Sequence, residues 1–346
     1  MDMLNARPGL LKQANLSLVR RTLRDRGTAT RAEIAETTGI SSTTVRTLLE
    51  ELEAAGEVGV VGFDASSGGR KAQRYRLRPD RYFGAAVCMT DHRADGLVVD
   101  ACGQIVEARE LEAAEGGLEA AVLAFLDGVT ARRDIRAIGV GVPGVVDNGC
   151  YWKKRREDYR VRRVPLGEDL ARRYGVPVVL ENDVKAVAVG VGKCYAREFP
   201  GEDPGETNMA YLHFDSGCVS AGFLVGGKVL HGATNCAGEL GLVPVGGDRL
   251  LDEQMAQPMD DGAYIDRMIQ IIGWVCGVLN PQYVAIGGPD VREDCIGPIG
   301  DGLSALLPDL MSAELLHAPD VWHDYHEGMA SLTAARMFDQ VQFVRE

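Results

Sequence analysis

The stretch VVLENDVKAV, residues 178–187, decides the fold class, because a short apolar run ends in an acid, an amide and a second acid. The apolar run predicts a buried strand, and a helical pattern begins at about Asp183. In α/β folds this order delivers polar side chains to the carboxyl edge of a sheet, where ligands bind. Asn182 and Asp183 are therefore candidate ligand contacts, and helix capping is the alternative role for Asp183.

Strands and helices alternate on both sides of this stretch. Before it, FGAAVCM, ADGLVVDA, QIVEARELEA and AIGVGVPG predict strands, and GLEAAVLAFLDGVTARR and LGEDLARRYG predict helices. After it come the strand MAYLHFDSG, the hairpin AGFLVGGKVLHG, a long helix ending IIGWVCGVLN, the strand YVAIGGP and two further helices. Two similar α/β halves predict a two-lobed body with a cleft between the lobes.

Length and composition indicate a folded protein of two or three domains. The chain has 346 residues, of which 46% are hydrophobic and 25% charged. No apolar run approaches the roughly 20 residues that cross a bilayer, and the N-terminus lacks the apolar core of a signal peptide. We therefore expect a cytoplasmic protein without a membrane partner.

The eight cysteines occur singly and form no CxxC pair, so neither a disulfide framework nor a thiolate metal site is predicted. The segment WHDYHEG, residues 322–328, holds two histidines and two acids that could bind a metal. We interpret it as an exposed polar turn that binds none. No metal ligand and no cofactor are expected.

Charge is unevenly distributed along the chain. Residues 1–80 carry 13 basic and 10 acidic side chains, whereas the remainder carries 24 basic and 40 acidic ones. An acidic body repels phosphate backbones. Any contact with nucleic acid is therefore expected in the first 80 residues, called the head below.

The head contains signals for three short helices. NLSLVRRTLRDRG has apolar residues at helical spacing before Gly27, and TRAEIAETTG combines the capping-box pair Thr30 and Glu33 with a stop at Gly39. In ISSTTVRTLLEELEAAG one face is apolar and the other carries hydroxyls and an arginine. Helix, tight turn and polar-faced helix predict a helix-turn-helix.

A predicted β-hairpin follows the helices and resembles the wing of a winged helix. GEVGVVGF and AQRYRLRPD are its strands, and DASSGGRK is its loop. The side chains expected to contact duplex DNA are Arg31, Ser42, Thr43, Thr44, Arg46, Thr47, Arg70 and Lys71. The alternative is a three-helix protein-interaction domain with a solvated polar face.

Several motifs occur in the order typical of one family. GVGVPGVVD, LENDVKAVAVG, NCAGELG, LNPQYVAIGG and MASLTAARMF, together with the head, resemble the ROK family of repressors, open reading frames and sugar kinases. The resemblance covers residues 15–338. It implies an N-terminal winged helix-turn-helix domain, residues 1–80, and an actin-like (ribonuclease H-like, sugar-kinase) body with lobes at 81–200 and 201–346. It also implies a sugar in the cleft and a homodimer or homotetramer.

The chain departs from the family's kinases at the first phosphate loop. In an active kinase the resemblance would make Asp183 the base that takes a proton from the sugar hydroxyl. Where the resemblance predicts an acid on the first strand, the sequence CMTDH has Cys88, and Asp91 follows three positions later. Phosphoryl transfer needs an acid that organises Mg²⁺.

The second phosphate loop and the zinc motif are altered as well. In SGCVSAG, side chains at Ser216, Cys218 and Ser220 replace expected glycines and prevent close approach of the backbone to a phosphate. The family's ExGH motif reads ELGL, so Leu242 replaces a histidine, and the neighbouring cysteine cluster is missing. We therefore expect neither kinase activity nor the family's structural zinc, and no catalytic residue is assigned.

These observations predict a DNA-binding transcriptional regulator, most simply a repressor, that responds to a sugar or a related metabolite. The resemblance places Gly144, Asn182, Asp183, Glu239 and Leu242 at the sugar pocket. Two alternatives remain: a sugar kinase with a DNA-binding head, and a DNA-binding dimer that responds to no ligand.

Overall fold

The computed structural model describes residues 7–64, 71–113, 117–154, 161–198, 205–247, 249–308, 311 and 313–338. Its helices are α1 (Arg7–Arg26), α2 (Arg31–Thr38), α3 (Ser42–Ala54), α4 (Gly117–Arg132), α5 (Leu166–Tyr174), α6 (Asp183–Glu198), α7 (Leu251–Met255), α8 (Asp261–Leu279), α9 (Ile296–Leu306) and α10 (Val321–Phe338). Short 3₁₀ turns span Leu240–Leu242 and Glu293–Cys295. In the described ranges no helix has the length and apolarity needed to cross a membrane.

The strands of the described ranges form four sheets. They are β1 (Ala29–Thr30), β2 (Val58–Phe63), β3 (Gln73–Leu77), β4 (Phe83–Met89), β5 (Ala94–Asp100), β6 (Ile105–Glu110), β7 (Ile135–Val142), β8 (Val145–Asp147), β9 (Cys150–Lys154), β10 (Val161–Val164), β11 (Val178–Asn182), β12 (Met209–Asp215), β13 (Cys218–Val225), β14 (Lys228–Val229), β15 (Tyr283–Gly287) and β16 (Glu314–Ala318).

The head is a winged helix-turn-helix. Helices α1, α2 and α3 bury one apolar core, and β2 and β3 pair antiparallel as the wing. The predicted capping box is present, because the Glu33 amide donates to Thr30 Oγ1 at 3.3 Å and the Thr30 amide donates to Glu33 Oε2 at 2.7 Å. Gly39, with φ of 69°, ends α2 as predicted. Helix α1 is longer than the predicted segment and begins at Arg7.

The body is built from two sheets with the same connectivity. Their strand orders are β11-β7-β4-β5-β6 and β14-β13-β12-β15-β16. Counted in chain order within each sheet, the first strand pairs antiparallel with the second strand and parallel with the fourth. The fourth strand pairs parallel with the fifth. This duplication confirms the predicted two-lobed α/β body.

Three local features differ from the sequence expectations. Strands β8, β9 and β10 form a small antiparallel sheet between β7 and α5, where no strands were predicted. Strand β16 lies between α9 and α10, and it escaped prediction because its short, half-exposed edge segment lacks a clear alternation. The segment WHDYHEG is not an exposed turn: it lies in the first turns of α10, where Asp324 and Tyr325 are buried.

Helices α6 and α10 form a layer between the two sheets. Helix α10 packs on β4 and β7 of the first sheet, and α6 packs on β12 and β13 of the second. The helices cross closely at two glycines, because a Cβ on Gly190 would lie 1.8 Å from Asp324 O and one on Gly328 would lie 1.8 Å from Ala186 O. Each lobe is thus joined to the other through this pair.

The head contacts the end of α10 directly. The Ser17 hydroxyl on α1 donates to Phe338 O at 2.5 Å, and the Arg24 guanidinium on α1 lies over the Phe338 ring at 5.9 Å from its centroid. The lobe boundaries expected from the sequence stay predictions. Helix α10 lies within the range expected for the second lobe, yet it packs on the first sheet and reaches the head.

Candidate functional site

Asn182 and Asp183 lie at the junction of β11 and α6, as the sequence predicted. The Asn182 side-chain amide donates to Gly144 O at 3.1 Å and to Asp183 Oδ1 at 3.0 Å. The Lys185 backbone amide donates to Asn182 Oδ1 at 3.0 Å, and the Val184 backbone amide donates to Asp183 Oδ1 at 2.8 Å. Both side chains therefore cap the helix, and this fixes their orientation at the edge of the sheet.

The carboxyl group of Asp183 lies in an environment that opposes its ionisation. Burial raises the pKa of Asp183 to about 7; the negative charges of Asp91 and Glu239 contribute to this rise, and the Val184 amide opposes it. Asp91, which the sequence reasoning did not place in the pocket, lies near enough to Asp183 for its charge to affect this pKa. The charges of three acids from three segments of the chain therefore interact at this edge.

The backbone at position 144, which lies beside Asn182, has a conformation that requires glycine. Its φ is +106°, and a Cβ at this position would lie 2.5 Å from Trp152 O on β9. Both observations exclude a side chain without rearrangement. Gly144 O is the acceptor that holds the Asn182 side-chain amide, so these two residues lie side by side.

Glu239 directly precedes the 3₁₀ turn Leu240–Leu242 and Leu242 ends it, and both side chains are exposed. The Leu242 amide donates to Glu239 O at 3.3 Å, and 58% of Leu242 is accessible to solvent. The aliphatic side chain has no atom that can ligate a metal. These residues do not fit the structural zinc that the resemblance implies at this position.

Segment 231–242 is tied to the first lobe by polar contacts that the sequence reasoning missed. His231 Nε2 lies 2.8 Å from Glu181 Oε2, and the Asn235 side-chain amide donates to Asp147 Oδ1 at 3.0 Å. The buried ammonium of Lys185 donates to Asn235 O at 2.5 Å. The polar residues that precede ELGL were the available signal, but their partners lie at least 50 positions away.

A buried thiol stands where the resemblance predicts an acid in the first phosphate loop. Cys88 is fully buried, its thiol donates to Tyr325 O at 3.8 Å, and burial raises the pKa of this thiol well above its usual value. The Met89 amide donates to the Tyr325 hydroxyl at 3.3 Å, and that hydroxyl donates to Met89 O at 3.1 Å. A neutral thiol and a tyrosine ring close this end of β4.

Carboxylates of the protein itself occupy the second phosphate loop. The Gly217 amide donates to Asp290 Oδ2 and the Val219 amide donates to Asp252 Oδ1, each at 2.8 Å. Ser216 adopts φ of 52°, a conformation that favours glycine. These two amides would have to exchange a carboxylate for a phosphate, and the carboxylates would repel the incoming anion.

Five of the eight predicted DNA-contacting residues lie on α3. On α3 the side chains of Ser42, Thr43, Arg46 and Thr47 are exposed, and the opposite face is buried in the head core. Thr44 is half-buried, and its hydroxyl lies 2.9 Å from that of Ser41, the N-cap residue of α3. Thr44 therefore contributes to the cap.

The remaining expected DNA contacts lie at the start of α2 and in the wing. Arg31 and Lys71 are exposed, whereas Arg70 lies outside the described residues. Sequence reasoning missed Arg74, which donates to Asp64 Oδ1 at 2.5 Å and to Glu33 Oε1 at 3.0 Å. Arg74 thus links the wing to α2. These contacts fix the orientation of the wing surface that faces away from the core.

A winged helix-turn-helix joined to a duplicated two-lobed body defines the class of protein. The chain belongs to the ROK family, whose family model matches residues 85–259, and a winged helix-turn-helix DNA-binding model matches residues 21–56. These matches confirm the resemblance and the predicted fold class.

Named relatives are similar at low identity. A putative xylose repressor of Caldicellulosiruptor sp. is 26% identical over 241 residues, which cover 67% of this chain and 59% of the relative. The DNA-binding transcriptional dual regulator NagC of Escherichia coli is 24% identical over 246 residues, which cover 68% of this chain and 58% of NagC. The match therefore spans somewhat under three fifths of the length of each relative.

Solved structures share the fold. A ROK family transcriptional regulator described as a homologue of the E. coli MLC protein superposes with a TM-score of 0.68 at 16% identity, covering 94% of this chain and 99% of that one. A ROK hexokinase from Thermus thermophilus covers 72% of this chain and 98% of its own, with a TM-score of 0.51 and 20% identity. At these identities the likeness concerns the fold alone.

Proposed function

We propose that the protein is a DNA-binding repressor whose body binds a sugar or a sugar-derived effector. The observation that carries this proposal is the exposed polar face of α3, with Thr43 and Arg46, beside a wing fastened by Arg74. Small hydroxyl side chains and an arginine at the start of a recognition helix suit close approach to a major groove. The similarity to a putative xylose repressor and to the DNA-binding transcriptional dual regulator NagC supports a function in transcriptional regulation.

Duplex DNA is the proposed macromolecular partner, and the protein is proposed to bind it as a homodimer or homotetramer. Two-fold oligomers place two recognition helices on half-sites one helical turn apart, and this arrangement favours a palindromic operator. Contact with phosphate is expected in the head alone, because residues 81–346 carry 24 basic and 40 acidic side chains and repel phosphate.

The proposed effector pocket contains Gly144, Asn182, Asp183, Glu239 and Leu242. Carboxyl groups and an amide can bind neighbouring hydroxyls without transforming them. Leu242 presents an apolar wall, so a hydroxyl facing it would lose its water without gaining a partner, at a cost of ~1–3 kcal/mol. The preferred effector therefore has no hydroxyl at that position: it is a deoxy sugar, an N-acylated sugar or a smaller compound.

Purified protein with ATP, Mg²⁺ and a broad panel of sugars is expected to form no sugar phosphate above a blank without protein. The proposed reason is that Cys88 replaces the metal-organising acid and that Asp252 and Asp290 hold the amides of the second loop. Turnover is measured by separating labelled sugar phosphate from ATP. Phosphorylation that disappears in Asp183→Ala would establish the alternative of an active kinase with a DNA-binding head.

The effector proposal is tested on a duplex selected by the full-length protein from a random-sequence pool. Titration with simple, deoxy and N-acylated sugars is expected to find a class that shifts the affinity for this duplex at least several-fold, because a ligand that favours one arrangement of the lobes changes the spacing of the heads. Asp183→Ala and Glu239→Ala should abolish this shift. Asp266→Ala, an exposed acid on α8, should retain it.

Two outcomes would contradict the effector proposal. A ligand that acts equally on the wild type and on the Asp183 and Glu239 variants would bind elsewhere. DNA binding that no compound alters would favour the alternative of a ligand-independent DNA-binding dimer, whereas failure to select any duplex would contradict the repressor function itself.

A further inference from the structure

A thiol, an imidazole and a carboxyl group meet where α6 passes the start of α10. Cys194 comes from α6, and His323 and Asp324 come from the first turn of α10. Their potential ligand atoms all lie within 4.8 Å of one another, and Cys194 Sγ lies 3.8 Å from His323 Nε2. Among the described residues, these three side chains are the group of potential metal ligands that is close enough together to hold one ion.

The three side chains match the preferences of zinc. A zinc ion binds thiolate sulfur at about 2.3 Å and imidazole nitrogen at about 2.0–2.1 Å, so tetrahedral geometry separates those two atoms by about 3.6 Å. The separation of 3.8 Å between Cys194 Sγ and His323 Nε2 is close to this value. Mixed sulfur, nitrogen and carboxylate donors disfavour Mg²⁺ and Ca²⁺, which prefer oxygen ligands.

The surroundings hold the ligands in place and leave one side open. The His323 amide donates to Asp320 Oδ1 at 3.0 Å, which fixes the first turn of α10, and Asp324 is buried. Nearby cations do not compete for the site, because Lys193 and Arg197 pair with Glu327 at 3.0 and 3.1 Å. A cavity of about 520 Å³, lined also by His317, adjoins the three ligands.

We propose that Cys194, His323 and Asp324 bind a zinc ion whose fourth position faces this cavity and takes water or His317. The site is separate from the family's ExGH motif, whose histidine is replaced by Leu242. The ion would join α6 to the first turn of α10, directly after β16. Because the other end of α10 contacts α1 of the head, zinc would stabilise the connection between the lobes and the DNA-binding domain.

Cobalt is the spectroscopic probe for this site. Titration of metal-free, reduced protein with Co²⁺ is expected to produce a thiolate-to-cobalt band in the near ultraviolet and visible bands of tetrahedral cobalt, saturating at one ion per chain, and Zn²⁺ should displace them. Cys194→Ser should lose the thiolate band. Cys236→Ser, which removes an exposed cysteine outside the cluster, should retain it.

Thermal unfolding provides a second readout that does not depend on the thiol. Zn²⁺ should raise the Tm of the wild type and of His92→Asn, an exposed histidine elsewhere, because a ligand of the native state stabilises it. His323→Asn and Asp324→Asn should show a much smaller shift. The proposal is overturned if the wild type shows no thiolate band with Co²⁺, or if the band and the Tm shift persist in Cys194→Ser and His323→Asn.

Discussion

Replacing Arg46 with alanine is expected to weaken binding to the selected duplex by about 5- to 150-fold, the equivalent of ~1–3 kcal/mol for one lost base contact. Arg46 is exposed on α3, and its guanidinium lies 3.7 Å from Glu50, an exposed pair that DNA can readily displace. Affinity should be measured by fluorescence anisotropy at several salt concentrations. If Arg46 contacts a phosphate instead of a base, the salt dependence should fall by about one counterion.

The matched control is Arg172→Ala. Arg172 is also an exposed arginine of a helix, paired with Asp169 at 2.9 Å, but it lies on α5 of the body. Its removal should leave both the affinity and the salt slope unchanged. If Arg46→Ala behaves like this control in both measurements, the assignment of α3 as the recognition helix is wrong.

Replacing Asp183 with asparagine is expected to stabilise the protein above neutral pH by up to ~4 kcal/mol. The pKa of Asp183 is raised from 3.8 to about 7 by burial, and each unit corresponds to about 1.36 kcal/mol. Below pH 3.8 the folded and unfolded states both hold the proton and the carboxyl group carries no penalty. As the pH rises towards 7, the unfolded state ionises first, so the wild type loses stability until the folded group ionises as well.

The difference in unfolding free energy between Asp183→Asn and the wild type should therefore widen from about pH 4 to pH 7 and stay constant above it. Urea denaturation at a series of pH values measures this difference. Asp266→Asn, at an exposed acid, should show no such widening. A difference for Asp183→Asn that does not change with pH would mean that folding does not raise the pKa of this carboxyl group, and the surroundings of Asp183 would need another description.

The gain in stability should come with a loss of effector response. An asparagine at position 183 cannot accept hydrogen bonds with both terminal atoms, whereas a carboxylate can. A residue that costs stability but persists at the edge of a cleft is the pattern expected of a binding site. In the effector titration, the Asp183→Asn protein is expected to bind DNA with the affinity of the wild type. The compound that releases the wild type from DNA should not change this affinity.

The sequence determined the elements whose signals are local. Thr30 and Glu33 lie three positions apart and form the capping box, and Gly39 supplies the left-handed residue that ends α2. The apolar run before Asn182 became β11, and α6 begins at Asp183. Periodicity and capping act over a few residues, so one sequence suffices to find them.

Other features depend on partners that are distant in the sequence. Strand β16 exists because it pairs with β15 and completes the second sheet, and its own residues are only half-buried. Nothing in the sequence indicated a role for His231, because its partner Glu181 lies 50 positions away. The sequence led to the prediction that Asn182 and Asp183 contact a ligand, but it could not indicate that Asp91 lies near enough to affect the pKa of Asp183.

The tertiary structure alone decided the state of the second phosphate loop and the grouping of Cys194 with His323. The sequence showed that glycines were missing from the loop, whereas only folding brought Asp290 and Asp252 to the amides of Gly217 and Val219. Cys194 and His323 are 129 positions apart and meet because Gly190 and Gly328 let α6 and α10 cross closely. Hydrogen bonds and metal coordination act over about 2–4 Å, and helix packing sets that distance for residues with no local signal.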